Sequence, residues 1–452
     1  MNTREIIELL QEQDLTTEII RDLIHEDDEI RKRMIHLHER YKATAKGVPV
    51  FNRKFEDRNK INNRINADFF SEIIDTKTGY IAGIPVGYNL DNEAYASTEK
   101  YESHYEIMVR FLHDNSAADT DSEATKMAAI CGYCGRLAYI EKGTGTERLM
   151  NVPPWEVKII YDRSIHEPAY AMRYYTMHDK ASGRDLWVVE WYDDVYVTEY
   201  RENSKGHFKV YSQEPHLFDY IPLWAIINNE ERQGDCDKVL AAIDAVDRTL
   251  SDANSEIEQF RLAYMLMKGV EPDEETMLLA KRTGAFGLPE GSEMSFLTKN
   301  MNDTMIENHL NRLQDYILRF SKSVDFSDEA FAGNQSGVAM KYKLQALENK
   351  CATFERKFTA ALMYQFKVIA SSWNKRGIDI DHRDIFYQFK RNLPFGWEVE
   401  ADATAKLRGH VSEHTRLGML SFVDDVEYEK RMMEQDMSAY TLDDTGSVGD
   451  DE

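Results

Sequence analysis

The chain has 452 residues and a formal net charge of −25, from 55 Lys and Arg against 80 Asp and Glu. Hydrophobic residues at 42% and charged residues at 30% describe a folded, globular chain of two or three domains, or of one long multi-part subunit, and exclude wholesale disorder. The acidic balance excludes tight gripping of nucleic acid, which needs basic groups to displace counterions, but permits a protein that surrounds DNA without holding it.

The first ten residues carry Arg4, Glu5 and Glu8 and no apolar signal core. Residues 16–44 read as one charged helix with Ile19, Leu23, Ile30, Met34 and Leu37 as its apolar positions. A break at 47–53 precedes a second helix at 65–76. Tyr80 to Pro85 then ends that helix and leads into a strand. A polar connector at 89–98, a helix at 101–112 and a loop at 113–121 come next. A helix is expected at 122–137, followed by a hairpin around Gly143 and Gly145.

The longest mostly apolar stretch, 127–140, contains Arg136 and is too short to span a bilayer, so the chain is expected to be neither secreted nor integral to a membrane. Between 157 and 227, alternating or aromatic-rich runs at 169–176, 186–192, 195–200 and 208–211 predict a small antiparallel meander.

Val239, Ile243, Val246, Leu250, Ala253, Ile257 and Phe260 then step by four and three residues, which places them on one stripe of a helix about 37 Å long. Residues 263–297 break the pattern with Gly269, Pro272, Gly284, Gly287, Pro289 and Gly291. A second striped helix spans 302–324 through Ile306, Leu310, Leu313, Ile317, Phe320 and Val324. Two one-sided helices flanking a compact insertion predict a helical hairpin with a small domain at its tip. Neither stripe can be buried by its own helix alone.

A loop at 325–337 leads into a third striped helix through Leu344, Leu347, Cys351, Phe354, Phe358 and Ala361, out to about Trp373. A strand lies within 378–388, 403–437 reads as helical, and an acidic tail begins near Tyr440 and is expected to be disordered. Helices combined with an antiparallel meander make the fold class α+β.

Catalytic patterns are missing. There is no phosphate-cradling G-x-x-x-x-G-K-[ST], no G-x-S-x-G and no H-E-x-x-H. Cys131, Cys134, Cys236 and Cys351 are too few for a disulfide framework and fit a reducing compartment. The C-x-x-C pair reads as buried thiols. His36 and His38, two apart on a helix, do not share a face for a metal. A dense carboxylate patch is Asn228-Asn-Glu-Glu-Arg232 with Asp235-Cys-Asp237. A metal-dependent phosphodiesterase would use such groups, Glu230 and Asp237 among them. A loop followed by acidic helix-start chemistry accounts for them better. No catalytic, cofactor-binding or metal-binding residue is assigned.

Five segments, in order, carry a family resemblance: NADFFSEIIDTKTGYIAGIP (66–85), HLFDYIPLWAIINNEER (216–232), VLAAIDAVDRTLSDANSEIEQFRLAYMLMKG (239–269), FAGNQSGVAMKYKLQALENK (331–350) and QFKRNLP (388–394). Across 41–437 the chain resembles the portal, or head-to-tail connector, proteins of tailed double-stranded DNA phages, in the group common among phages of Gram-positive hosts. Asp219 departs from the small residue expected there, which bears on a local turn.

The resemblance implies a virion protein assembled in the host cytoplasm as a ring, normally a dodecamer, at one capsid vertex. It implies a portal fold with an α/β wing (1–234 and 338–404) and a helical-hairpin stem (235–262 and 302–324). A small α/β clip (263–301), a tunnel loop (325–337) and a helical crown (405–440) complete it, ahead of the tail (441–452). The implied partners are other copies of the chain, duplex DNA passing without sequence specificity, the terminase large subunit, a head-completion or tail adaptor, and the major capsid and scaffolding proteins. No membrane and no cofactor are implied.

On that map Phe326, Ser327, Asp328, Glu329, Phe331, Asn334 and Gln335 face DNA from the tunnel loop. Asp244, Asp247, Glu256, Glu258 and Lys322 are candidates to line the stem channel. Residues 235–261 carry seven acidic groups (Asp235, Asp237, Asp244, Asp247, Asp252, Glu256, Glu258) against Lys238, Arg248 and Arg261. Such a wall repels phosphates over about 10 Å and does not hold them. The alternatives are the phosphodiesterase above and a monomeric phage adaptor.

Overall fold

A computed structural model describes the chain except for residues 1–5, 9, 11–14, 55–60, 92–96, 162–166, 181–182, 261–263, 270–273, 275–277, 279–281, 283–289, 298–302, 326–336, 393–396, 421–422, 424–425 and 444–452. The fold is α+β, and every sheet in the described residues is antiparallel. The chain forms two compact units, the first of Met1–His38, Ser71–Asp237 and Lys322–Glu452, the second of Glu39–Phe70 and Lys238–Ser321. No described helix is long and apolar enough to cross a membrane.

The long N-terminal helix expected at 16–44 is two helices. Thr16 caps α1 (Thr17–Glu26) by accepting the Ile19 N–H, and Asp27 separates it from α2 (Asp28–Tyr41). The carboxylate of Asp27 accepts from Lys158 Nζ at 2.8 Å, and Tyr174 donates to it, so the break positions a charge that the β region uses. Next come α3 (Phe69–Ala82), longer and later than expected, β1 (Gly87–Leu90), α4 (Thr98–Asp114) and α5 (Ala117–Cys131).

The helix expected at 122–137 stops at Cys131. Gly132 adopts φ +97°, and its N–H closes the helix on the Ala128 carbonyl. A Cβ there would sit 2.0 Å from the Arg232 carbonyl oxygen, so only glycine fits. The chain continues as β2 (Tyr133–Ile140), which pairs with β3 (Glu147–Val152) through the expected hairpin.

The meander is β4 (Val157–Tyr161), β5 (Pro168–Asp179), β6 (Arg184–Tyr192), β7 (Tyr196–Glu202) and β8 (Phe208–Pro215), each paired with the next. Ile19, Ile20 and Leu23 of α1 cover it, packed with Ile160, Met172, Tyr174, Val189 and Trp191. β9 (Leu223–Ile227) leaves the meander and pairs with β2.

The second unit holds α6 (Leu240–Phe260), the paired strands β10 (Tyr264–Lys268) and β11 (Glu293–Leu297), and α7 (Asp303–Ser321). This is the expected hairpin with an inserted tip. The first unit resumes with α8 (Gly337–Lys375), 39 residues long, and β12 (Ile385–Gln388), which pairs with β1.

The stripe Leu344, Leu347, Cys351, Phe354, Phe358, Ala361 is buried along α8 and forms the largest core with Phe366, Trp373, Phe111 and Trp224. Where a single helix was expected at 403–437 there are three, α9 (Trp397–Lys406), α10 (Glu413–Gly418) and α11 (Val426–Asp443). Gly409 takes φ +80° between the first two. The helix therefore continues past Tyr440, where the tail was expected to begin. Residues 444–452 of that tail lie outside the described residues.

Asp219, the departure from the family pattern, turns outward onto α8. Its N–H donates to Ser371 Oγ at 3.1 Å, and its carboxylate pairs with Lys375 at 2.6 Å.

Candidate functional site

Within the second unit α6 and α7 pack on each other. At 21 and 19 residues they are about 31 and 28 Å long. Tyr264 pairs with Leu297 in the strands that join them, so the helices run antiparallel. Their apolar stripes are only partly covered. Val239, Ile243 and Val246 are buried on the α6 side and Ile317 on α7, while Leu250, Ile306, Leu310 and Leu313 are half-buried. Ile257 and Phe320, both on the expected stripes, are 52% and 58% exposed.

On α6 the buried side swings from the apolar stripe to Asp247, Ser251 and Ser255, spaced by four. They receive a strap, residues 61–67. The N–H of Asn63 donates to Ser255 Oγ at 2.9 Å, that of Ile65 to Ser251 Oγ at 2.9 Å, and that of Ala67 to Asp247 Oδ1 at 2.8 Å. The register works because two extended residues advance about 6.6 Å and four helical residues about 6 Å. Each serine hydroxyl donates back to the carbonyl four residues earlier, Ser251 to Asp247 at 2.6 Å and Ser255 to Ser251 at 2.7 Å, which leaves its lone pairs for the strap.

Charged contacts flank this ladder. Arg40, itself buried, pairs with Asp244; Arg53 pairs with Asp252; Asn63 Nδ2 donates to Glu258 at 2.8 Å.

Of the channel-lining candidates, Asp244 is therefore half-buried and paired, and Glu258 is exposed with one strap contact. Glu256 is half-buried. Asp247 is corrected. At 1% exposure it lies under the strap of its own chain and presents nothing to a channel. Burial pushes its carboxyl above the usual range, against the pull of the Ala67 N–H and Arg40, and its Oδ2 has no hydrogen-bond partner. Lys322 is exposed at the end of α7 with φ +59°, a left-handed conformation unusual for a side chain with Cβ.

The DNA-facing candidates Phe326, Ser327, Asp328, Glu329, Phe331, Asn334 and Gln335 lie outside the described residues. The helix after them, α8, is firmly held. Its Glu348 receives both Nε and Nη2 of Arg391 at 2.9 Å and the Tyr80 hydroxyl at 2.8 Å, and Glu355 receives Arg391 at 2.6 Å.

Three of the carboxylates near 228–237, those of Glu230, Asp235 and Asp237, are engaged with cations. Asp235 lies between Lys77 Nζ at 3.1 Å and Lys350 Nζ at 3.2 Å and accepts from Asn228 Nδ2 at 3.0 Å. Burial alone would raise its carboxyl, but the two lysines and Asn228 outweigh that and hold it below the usual range. Lys77, fully buried with its ammonium 4.6 Å from the Phe354 ring centroid, is lowered by burial against the pull of Asp235. Glu230 pairs with Lys357, and Asp237 pairs with Arg33 while accepting the Gly234 N–H at 2.8 Å.

Among the described residues no three His, Cys, Asp or Glu converge to hold a metal ion. Glu230, Asp235 and Asp237 thus form ion pairs in the loop before α6. Cys131 and Cys134 are buried, and burial pushes the Cys134 thiol up to about 12, far from a reactive thiolate.

Residues 20–440 match the family model described as phage portal protein, SPP1 Gp6-like. The chain is 24% identical over 423 residues to the portal protein of Bacillus phage SPP1, covering 88% of this chain and 81% of that protein. It is also 24% identical over 441 residues to the portal protein of Clostridium phage phiCD119, covering 92% of this chain and 95% of that one.

Proposed function

Because the chain belongs to the phage portal protein family, whose members are structural components of the virion and not enzymes, we propose that it assembles into a ring, a dodecamer in the virion, at one vertex of the capsid. Its central passage admits the genome during packaging and releases it at ejection. The observation that carries this reading is the pair of long helices in the second unit, whose apolar stripes one subunit covers only in part. Further copies of the chain supply the missing cover.

In this reading α6 and α7 are the stem, the strands at their tip belong to the clip, and 325–337 is the tunnel loop. Asp244, Glu256, Glu258 and Lys322 remain the wall candidates. An excess of carboxylates keeps the duplex central, because each phosphate held by Lys or Arg would add a barrier to sliding. The clip is the docking surface for the terminase motor and later for the tail adaptor. The work of translocation comes from that separate motor, since the sequence has no phosphate-cradling loop of its own. The capsid and scaffolding proteins meet the wing.

The test replaces residues 326–336 by a short rigid turn and measures DNA packaged and retained by the assembled particles. Rings that form but package poorly or leak DNA are expected. Normal packaging and retention by such rings would remove the tunnel loop from the mechanism.

A further inference from the structure

The segment that joins the meander to β9 is fastened by one buried histidine. His216, 8% exposed, directly follows β8. Its backbone N–H donates to the Val195 carbonyl at 3.0 Å, in the turn between β6 and β7. Both ring nitrogens are engaged as well. Nε2 lies 3.0 Å from the Asp193 carbonyl oxygen, and Nδ1 lies 3.2 Å from the Phe218 amide nitrogen. A carbonyl only accepts and an amide N–H only donates, so the partners fix a neutral ring with its proton on Nε2 and a lone pair on Nδ1. The residue spanned by the Nδ1 bond is strained. Leu217 is held at φ +69°, in the left-handed region that a side chain with Cβ disfavours, and is 52% exposed, while Phe218 beside it is buried in the largest core. Lys375, at the end of α8, donates to the Leu217 carbonyl at 3.1 Å and pairs with Asp219.

We propose that His216 is a pH-sensitive latch on this corner: a proton taken from solvent onto Nδ1 replaces the acceptor of the Phe218 N–H by a second donor, and the backbone at 216–218 opens. The latch is a property of the single chain and does not depend on the ring. Among the described residues, the charged groups facing the imidazole are Asp193 and Asp194 from the β6–β7 turn and Lys375 from α8. Burial, the largest influence, and Lys375 disfavour the charged ring, whereas the Asp193 carbonyl and the two aspartates favour it. The outcome is proton binding below the usual histidine range. The latch therefore stays closed above that range, and its contribution is lost as the pH falls through the lowered value. Opening relieves the left-handed backbone of Leu217 and slackens the link from β8 to β9, while Asp219 keeps its holds on Ser371 and Lys375.

The test follows hydrogen exchange of the Phe218 amide in the full-length chain from about pH 8 to about pH 5, with rates corrected for the intrinsic effect of pH. The variant His216→Asn is measured in parallel. An asparagine oxygen accepts the N–H two residues on at every pH in that range, so this variant keeps the Phe218 bond and loses the titration. In the unaltered chain, protection of the Phe218 amide should fall about tenfold as the ring takes up its proton, the loss of roughly one hydrogen bond. In His216→Asn it should stay level. Amides of β5 serve as the reference for general loosening. Protection at Phe218 that is flat in the unaltered chain would overturn the proposal, and this reading stands alone should the variant not fold. An equal fall in His216→Asn, or an equal fall at the β5 amides, would overturn it as well.

Discussion

Two long-helix regions of this chain solve the same problem differently. In the first unit, α8 buries its apolar stripe from Leu344 to Ala361 against strands and helices of its own subunit. Its polar positions are equally satisfied. Glu348 and Glu355 hold Arg391, Lys350 helps hold Asp235, and Gln365 accepts from the buried Arg136 at 2.9 Å. In the second unit, α6 and α7 cover each other only in part, and one side of α6 is given to a polar strap. Complete burial marks α8 as held by its own subunit, and in the proposed ring the partial burial of α6 and α7 marks surface left for a neighbouring copy.

The comparison breaks most visibly at its charges. Asp235→Leu leaves Lys77 buried without its main partner and should cost about 3–5 kcal/mol in denaturant unfolding. The double variant Asp235→Leu with Lys77→Met should recover most of that loss. In the same core, Phe354→Ala should cost about 3–5 kcal/mol by leaving a cavity, whereas Phe320→Ser on α7 should change subunit stability by less than about 0.5 kcal/mol. A large loss of subunit stability for Phe320→Ser would erase the distinction between the two helices.

The two buried aspartates sharpen it through pH. The Asp235 carboxyl is lowered by its lysines, so its contribution is present at neutral pH and is lost as the pH falls through and below the usual carboxylate range. The Asp247 carboxyl is raised by burial, so its contribution has the opposite sign. It is present below the usual carboxylate range and is lost as the pH rises through the raised value. Asp247→Asn should therefore keep the strap at neutral pH, since the amide oxygen still accepts the Ala67 N–H. Unfolding curves of this variant should be unchanged or slightly more stable at pH 7. For Ser251→Ala the effect is expected to be local, about 1 kcal/mol, read as faster hydrogen exchange at the Ile65 amide with global stability nearly intact.

The sequence made the striped helices readable because each has one wet and one dry side, so the period of 3.6 survives in the residues. It made the meander readable through its turns. It hid the α5–β2 junction, because 127–140 is buried as helix and strand alike, and Gly132 alone marks the change. The break at Asp27 carries no glycine or proline and exists because Lys158 and Tyr174 of the β region draw on that side chain. The strap was illegible for another reason. Asp247, Ser251 and Ser255 look like a wet helix side, and only their spacing by four, set against alternate residues at 63, 65 and 67, hints at an extended partner. For the same reason Asp247 was expected on a channel wall and lies inside instead.

The most direct test of the account is the assembly state of the purified full-length chain across a wide concentration range, read by native mass spectrometry and by negative-stain electron microscopy. Annular particles with a central hole and a discrete multiple of the subunit mass are predicted. A single-subunit species at every concentration, with no annular particles on the grid, would contradict it and would favour the monomeric adaptor.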